Sequence, residues 1–188
     1  MGMSENRESL VRNLSSWEID EFQLIFGESM KYERVRIHEN NPWPDRIDRL
    51  GRKLKRMPPP SEHSHNAVTI GNHCYFPVDL PRELPDPEDP INYKVDWLVH
   101  ELTHVWQYQQ IGWSYLWKAL IAQFKEKAKA YDFGGEEGLH KSRQKSIKFK
   151  DFNPEQQGNI VQSYYTRKRL NKDISAWQPF IDELKQPG

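Results

Sequence analysis

The sequence predicts an α+β fold. Two observations carry this. β-compatible runs at Ala67–Ile70 and His73–Phe76 are separated by Gly71-Asn72, a two-residue spacing and composition typical of a hairpin. Beyond residue 93 the pattern turns helical and stays so: Val95, Leu98, Val99, Leu102, Val105 and Trp106 recur at three- and four-residue spacing. A chain of 188 residues has the length of one domain. Residues 1–188 are therefore read as one unit, with 32–112 as its core and 113–188 as a helical C-terminal part.

The elements follow in order. Ser15 and Glu18 have the spacing of a capping box, and Trp17, Phe22, Ile25 and Phe26 follow before Gly27, so a helix is expected over about 16–26. The alternation around Val35 and Ile37 predicts a strand over 34–38. Pro42–Pro60 is basic and proline-rich, and reads as a solvated connection or as a docking patch for an acidic partner. Prolines at 77, 81, 85, 87 and 90 impose a loop after the hairpin, because proline lacks the backbone donor that an element interior needs. The central helix runs over about 93–110 and stops at Gly112. A second is expected over 114–131, with Leu116, Leu120, Ile121 and Phe124 inward. Gly134, Gly135 and Gly138 mark a loop. Asn153-Pro154 reads as an N-cap followed by proline at the first helical position, opening a helix over 154–170. A last short helix near 173–184 is interrupted at Pro179.

Composition narrows the function classes. Lys plus Arg and Asp plus Glu are both 27, a neutral balance that argues against a nucleic-acid binder, even with basic runs at Arg49–Arg56 and Lys141–Lys150. Hydrophobic residues are only 36%, but seven tryptophans in a 12% aromatic share supply large rings for a modest core. No apolar run is long enough to span a membrane, and the polar start lacks a secretory signal, so a cytoplasmic chain is expected, with export only by a machine that reads no cleavable signal. The one cysteine, Cys74, excludes an intrachain disulfide and reads as a small core hydrophobe. His38, His63 and His65 read as surface residues.

The segment that carries chemistry is Leu98-Val99-His100-Glu101-Leu102-Thr103-His104-Val105-Trp106. Two histidines four apart on a helix share a face, so His100 and His104 can each offer a ring nitrogen to one Zn²⁺ at about 2.0–2.1 Å. Glu101 is displaced by about 100° around the axis, close enough for its carboxylate to reach a metal-activated water without being a ligand. This is the equipment for hydrolysing an unactivated carbonyl. A third ligand is needed. Glu155 is preferred, because the first turn of a helix fixes its position and favours a carboxylate, and Asn159 one turn on could orient it. Glu136, Glu137 and His140 are the alternatives, and Glu155 could instead belong to a solvated face with Asn159 and Gln162. Tyr164, Tyr165 and Tyr108 are candidates for holding an oxyanion, although each is more often a packing residue.

Three stretches resemble a known family: Tyr32-Glu33-Arg34-Val35-Arg36-Ile37-His38, Ala67 through Phe76, and Leu98 through Gln107, with a further likeness at Phe152-Asn153-Pro154-Glu155-Gln156-Gln157. They are similar to the zincin-like core domain of bacterial contractile injection systems, and more so to the Vgr-related or Rhs-associated proteins linked to type VI secretion. The resemblance covers about 32–112 well and 151–165 moderately. It implies a minimal zincin, a small sheet packed on the motif helix, with a metallopeptidase site at His100, Glu101 and His104. By the same analogy the strand at His73–Phe76 edges the cleft and could pair with an extended peptide. Where the injection-system domains continue with two small apolar residues and paired glutamines, this chain has Trp106, Gln107, Tyr108 and Gln109. The expected function is a zinc metallopeptidase acting on a peptide or protein substrate. The alternative is a catalytically silent module that docks on secretion-apparatus proteins, for which Trp113 and Trp117 could form a surface.

Overall fold

The computed structural model describes residues 9–43, 67–112 and 132–185. Among them the chain is α+β, with four strands in one sheet and five helices. The strands are β1 (Leu10–Arg12), β2 (Arg36–Glu39), β3 (Val68–Ile70) and β4 (His73–Tyr75); the helices are α1 (Ser16–Phe26), α2 (Tyr93–Ile111), α3 (Gly135–Gln144), α4 (Pro154–Arg169) and α5 (Gln178–Lys185). The expected helix over 114–131, most of the basic Pro42–Pro60 segment, His63, His65, Trp113 and Trp117 lie outside the described residues.

The sheet order is β1-β2-β4-β3. β1 runs antiparallel to β2, β2 parallel to β4, and β3 and β4 form the antiparallel hairpin. Its turn is Gly71-Asn72, and Gly71 takes φ +63°, a conformation that other residues adopt only with strain. Strand periodicity sorts the residues into two faces. Arg12, Ile37, Cys74 and Thr69 form one cross-strand row on the inner face, and Val11, His38, Tyr75 and Val68 form a row on the outer face. Ile37 and Cys74 are fully buried. Burial pushes the Cys74 thiol up, so it stays protonated and serves as core.

The inner face rests on α2, and α2 packs along α4. Val95, Leu98, Val99, Leu102 and Val105 of α2 join Phe22 and Phe26 of α1, Ile160 and Val161 of α4, and Phe180 and Ile181 of α5 in one buried cluster. Each such side chain contributes about 1.5–3 kcal/mol by leaving water. α1 opens on the expected capping box: Glu18 N donates to Ser15 Oγ, and Ser15 N donates to Glu18 Oε2 at 2.7 Å. Glu18 and Glu39 are fully buried carboxylates. Arg12 satisfies both, with Nε 2.8 Å from Glu39 Oε1 and Nη1 2.7 Å from Glu18 Oε2, and Arg82 adds a 2.6 Å bond to Glu39. Buried charge is tolerated because each oxygen has a donor.

The fold differs from the expectations at five points. β1 was not foreseen; it has three residues, two of them exposed, so it leaves no alternating pattern. The strand expected at 34–38 begins at Arg36, because Tyr32–Arg34 forms a 3₁₀ turn whose Tyr32 hydroxyl donates to Gly27 O at 2.9 Å. The glycines at 134, 135 and 138 do not make a loop but open α3: Gly134 and Gly135 have φ +79° and +60°, and Gly138 leaves room for the carbonyl of Phe133. Among the described residues the sheet's edges are β1 and β3, and β4, the strand expected to edge the cleft, is interior. Pro179 does not break the last helix either; it sits in the first turn of α5, where its missing donor is harmless.

Candidate functional site

α2 presents its His-Glu-x-x-His face where α4 and the β3 edge meet it. Asn153 caps α4, its side chain accepting from Gln156 N at 2.8 Å while Gln156 Oε1 accepts from Asn153 N. Pro154 follows at the first position, so Glu155 lies in the first turn as expected. Its Oε2 is 3.3 Å from His100 Nε2 and 3.6 Å from His104 Nε2, and the two imidazole nitrogens are 3.2 Å apart. A tetrahedral ion with bonds of about 2.0–2.1 Å spaces its ligand atoms about 3.3 Å from one another. The three donor atoms therefore have the spacing of one face of such a polyhedron, and two imidazoles with a carboxylate are a donor set suited to zinc. They are the residues that could hold a metal here. Side-chain exposure of 11–16% leaves the cluster open on one side.

The electrostatics of the metal-free cluster follow from the same contacts. Burial alone would push His104 down, but the hydrogen bond and charge of Glu155 outweigh it and raise His104 to about 9. Burial would likewise raise Glu155, and its bonds to His100 and His104 instead hold it well below the usual carboxylate range.

Glu101 is 5% exposed and bonds to the sheet. Thr69 Oγ1, at the edge end of the inner row, donates to Glu101 Oε2 at 2.7 Å. The α4 backbone comes close to His100 because residue 158 is glycine. A Cβ there would lie 2.7 Å from His100 Cε1 and 2.9 Å from both ring nitrogens. Two buried amides complete the surroundings: Gln107 Oε1 is 2.9 Å from His104 Nδ1, and Gln107 Nε2 donates to Gln157 Oε1 at 2.9 Å.

Of the residues singled out from sequence, the structure brings together His100, His104 and Glu155, with Glu101 beside them. Asn159 is half-buried one turn beyond Glu155. The alternatives for the third ligand lie on α3 and are engaged or exposed there: Glu136 faces Arg167 at 3.5 Å, Glu137 faces Lys141 at 2.6 Å, and His140 is exposed. Tyr164 and Tyr165 are core residues, about 13–15 Å along the helix axis from Glu155. The Tyr164 hydroxyl donates to Gln178 Oε1, and the Tyr165 hydroxyl accepts from Arg169, so neither faces the cluster. Tyr108 lies against the Gly71 turn. Sequence reasoning did not single out Thr69, Gln107, Gln157 or Gly158. A glycine inside a helical pattern was the available signal for Gly158. Gln107 stands one turn beyond His104, which was a signal for a ring partner.

No protein-family model matches the chain. It is 29% identical over 176 residues, 93% of its length, to the type VI secretion system spike protein VgrG2b of Pseudomonas aeruginosa, and it spans 15% of that protein. The similarity thus extends well beyond the segments on which the Vgr-related resemblance was read. A solved structure of the effector domain of Pseudomonas aeruginosa VgrG2b overlaps with a TM-score of 0.46 at 22% identity, covering 96% of this chain and 86% of that one.

Proposed function

We propose that this chain is a zinc-dependent peptidase of zincin type, linked to type VI secretion. The observation that carries the reading is the convergence of His100, His104 and Glu155 with Glu101 tethered beside them. An ion held by those three residues supplies Lewis acidity for a peptide carbonyl and for an attacking water. Glu101 takes the proton that the water gives up as it adds to the carbonyl carbon. It then delivers that proton to the departing nitrogen as the C–N bond breaks. Thr69 holds one carboxylate oxygen, so the other is aimed rather than free to rotate. The substrate is a peptide or protein, and the β3 edge adjoining Glu101 supports an extended one.

The test is direct. Purified protein is expected to contain close to one zinc per chain and to cleave an unfolded protein substrate. Chelation should abolish cleavage and added zinc restore it; a zinc-free chain, or cleavage indifferent to chelator, overturns the reading.

The raised pKa of His104 sets a pH dependence. Below about 9 the metal-free His104 carries a proton that an ion must displace. Zinc affinity is therefore expected to rise with pH up to about 9, by roughly tenfold per unit where His104 is protonated and no other group titrates. Calorimetry in buffers of different ionisation enthalpy should show proton release at pH 7. For the metal-free fold the sign is opposite: the His104–Glu155 contribution is full below the unfolded histidine value and is lost as pH rises through about 9.

A second reading, a docking module of the secretion apparatus, is favoured by the similarity to a spike protein. It needs a stable apparatus partner, and it leaves binding indifferent to Glu101. Among the described residues no helix is long and apolar enough to cross a membrane. Passage through a machine that reads no cleavable signal fits both readings.

A further inference from the structure

We propose that Gln107 and Gln157 are positioning residues that fix the tautomer of His104 and lock α4, with Glu155, against α2. The inference rests on the metal-site reading above and adds to it how the ligand set is held in place. Hydrogen-bond polarity dictates how the two amides are oriented. A backbone carbonyl can only accept. The Gln157 side chain meets two of them, Phe149 O at 3.1 Å and Phe152 O at 2.9 Å, so its NH₂ must point there. Its oxygen is therefore the end that faces Gln107. Gln107 must present its own NH₂ to that oxygen at 2.9 Å, and the same nitrogen donates to a third carbonyl, Pro154 O, at 3.0 Å. The Gln107 oxygen is then left for His104, 2.9 Å from Nδ1. Since that oxygen accepts, His104 Nδ1 must carry the hydrogen, and Nε2 is the nitrogen left to coordinate.

Both amides are almost fully buried, at 2% and 7% exposure. Each N–H of the pair has a carbonyl acceptor, so the chain has no alternative direction short of leaving buried groups unpaired, at about 1–3 kcal/mol each. The relay starts on the segment before α4, passes the residue preceding Glu155, and ends on the ring of His104. It therefore sets two of the three ligands relative to one another. A neutral amide does this without placing a second negative charge beside Glu155.

The test measures zinc affinity by competition with a chromophoric chelator, and records the imidazole ¹⁵N signals of the zinc-loaded chain. In the parent protein His104 should show a protonated Nδ1 and a coordinated Nε2. Gln107→Met keeps the volume and removes the amide; affinity should fall about 10–100-fold. Gln107→Glu restores an acceptor for Nδ1 and should recover part of that loss. Gln157→Met, which leaves the Gln107–His104 contact in place, should also weaken binding and guards against a Gln107 variant that fails to fold. A His104 coordinated through Nδ1, or a folded Gln107→Met with affinity within twofold of the parent, overturns the relay while leaving the metal site standing. A parent chain that takes up no zinc overturns both.

Discussion

Glu101→Gln is expected to bind zinc as the parent chain does and to lose peptide cleavage by about 10²–10⁴-fold, the range for removing a positioned general base. The substitution is nearly isosteric and Glu101 is not among the converging donor atoms, so the site should load. The Gln side chain can still accept from the Thr69 hydroxyl, which keeps the side chain in place. What it cannot do is take a proton from water. Zinc content together with turnover on an unfolded substrate checks both halves. Cleavage retained in a zinc-loaded Gln variant removes Glu101 as the base. Full loss of zinc would mean that the carboxylate supports the ion, a role the geometry does not give it.

Gly158→Ala should weaken the metal site far more than it weakens the fold. By helix propensity alone it would stabilise α4 by about 0.8–1.0 kcal/mol. Against this, the added methyl would enter the space of the His100 ring, with three ring atoms 2.7–2.9 Å from the new carbon. Either α4 retreats from α2 or the imidazole swings away. Overpacking of this kind typically costs about 1–3 kcal/mol, so the net effect on the metal-free fold should be modest. Zinc affinity should fall by about 100-fold, the upper end for changes around a ligand, because here the ligand itself is displaced. Chelator competition and thermal unfolding separate the two effects. Unaltered zinc affinity would show that the ring can be accommodated elsewhere.

These two sites differ in how they could be read from sequence. Glu101 is announced by its neighbours, since the two histidines and the helical period place all three on adjoining faces. Local signals of this kind also marked α1, through Ser15 and Glu18, and the start of α4, through Asn153 and Pro154. Glu155 was legible only as a favoured candidate, because its distance to His100 is a tertiary quantity between residues 55 apart. Thr69 was illegible for the same reason: its hydroxyl reaches Glu101 across 32 residues, and only the sheet order puts it at the edge facing α2. The amide relay spans 50 residues between its two side chains. Gly134, Gly135 and Gly138 carry a loop signal in the sequence, yet they belong to the start of a helix. Two of them set the backbone turn into α3, and the third makes room for a carbonyl.

The candidate ligands sit on two helices, with His100 and Glu155 separated by 55 positions along the chain. An ion held by them would therefore be a reversible cross-link. It would close a long loop that the unfolded polypeptide leaves open, and its stabilisation would come from an ion captured only in the native state. The melting temperature would then be a gauge of free zinc, rising with its concentration by mass action. Unfolding would dissolve that cross-link and separate its halves, so a newly made polypeptide would carry no assembled centre. A metal centre of this kind would assemble only after α2 and α4 have docked.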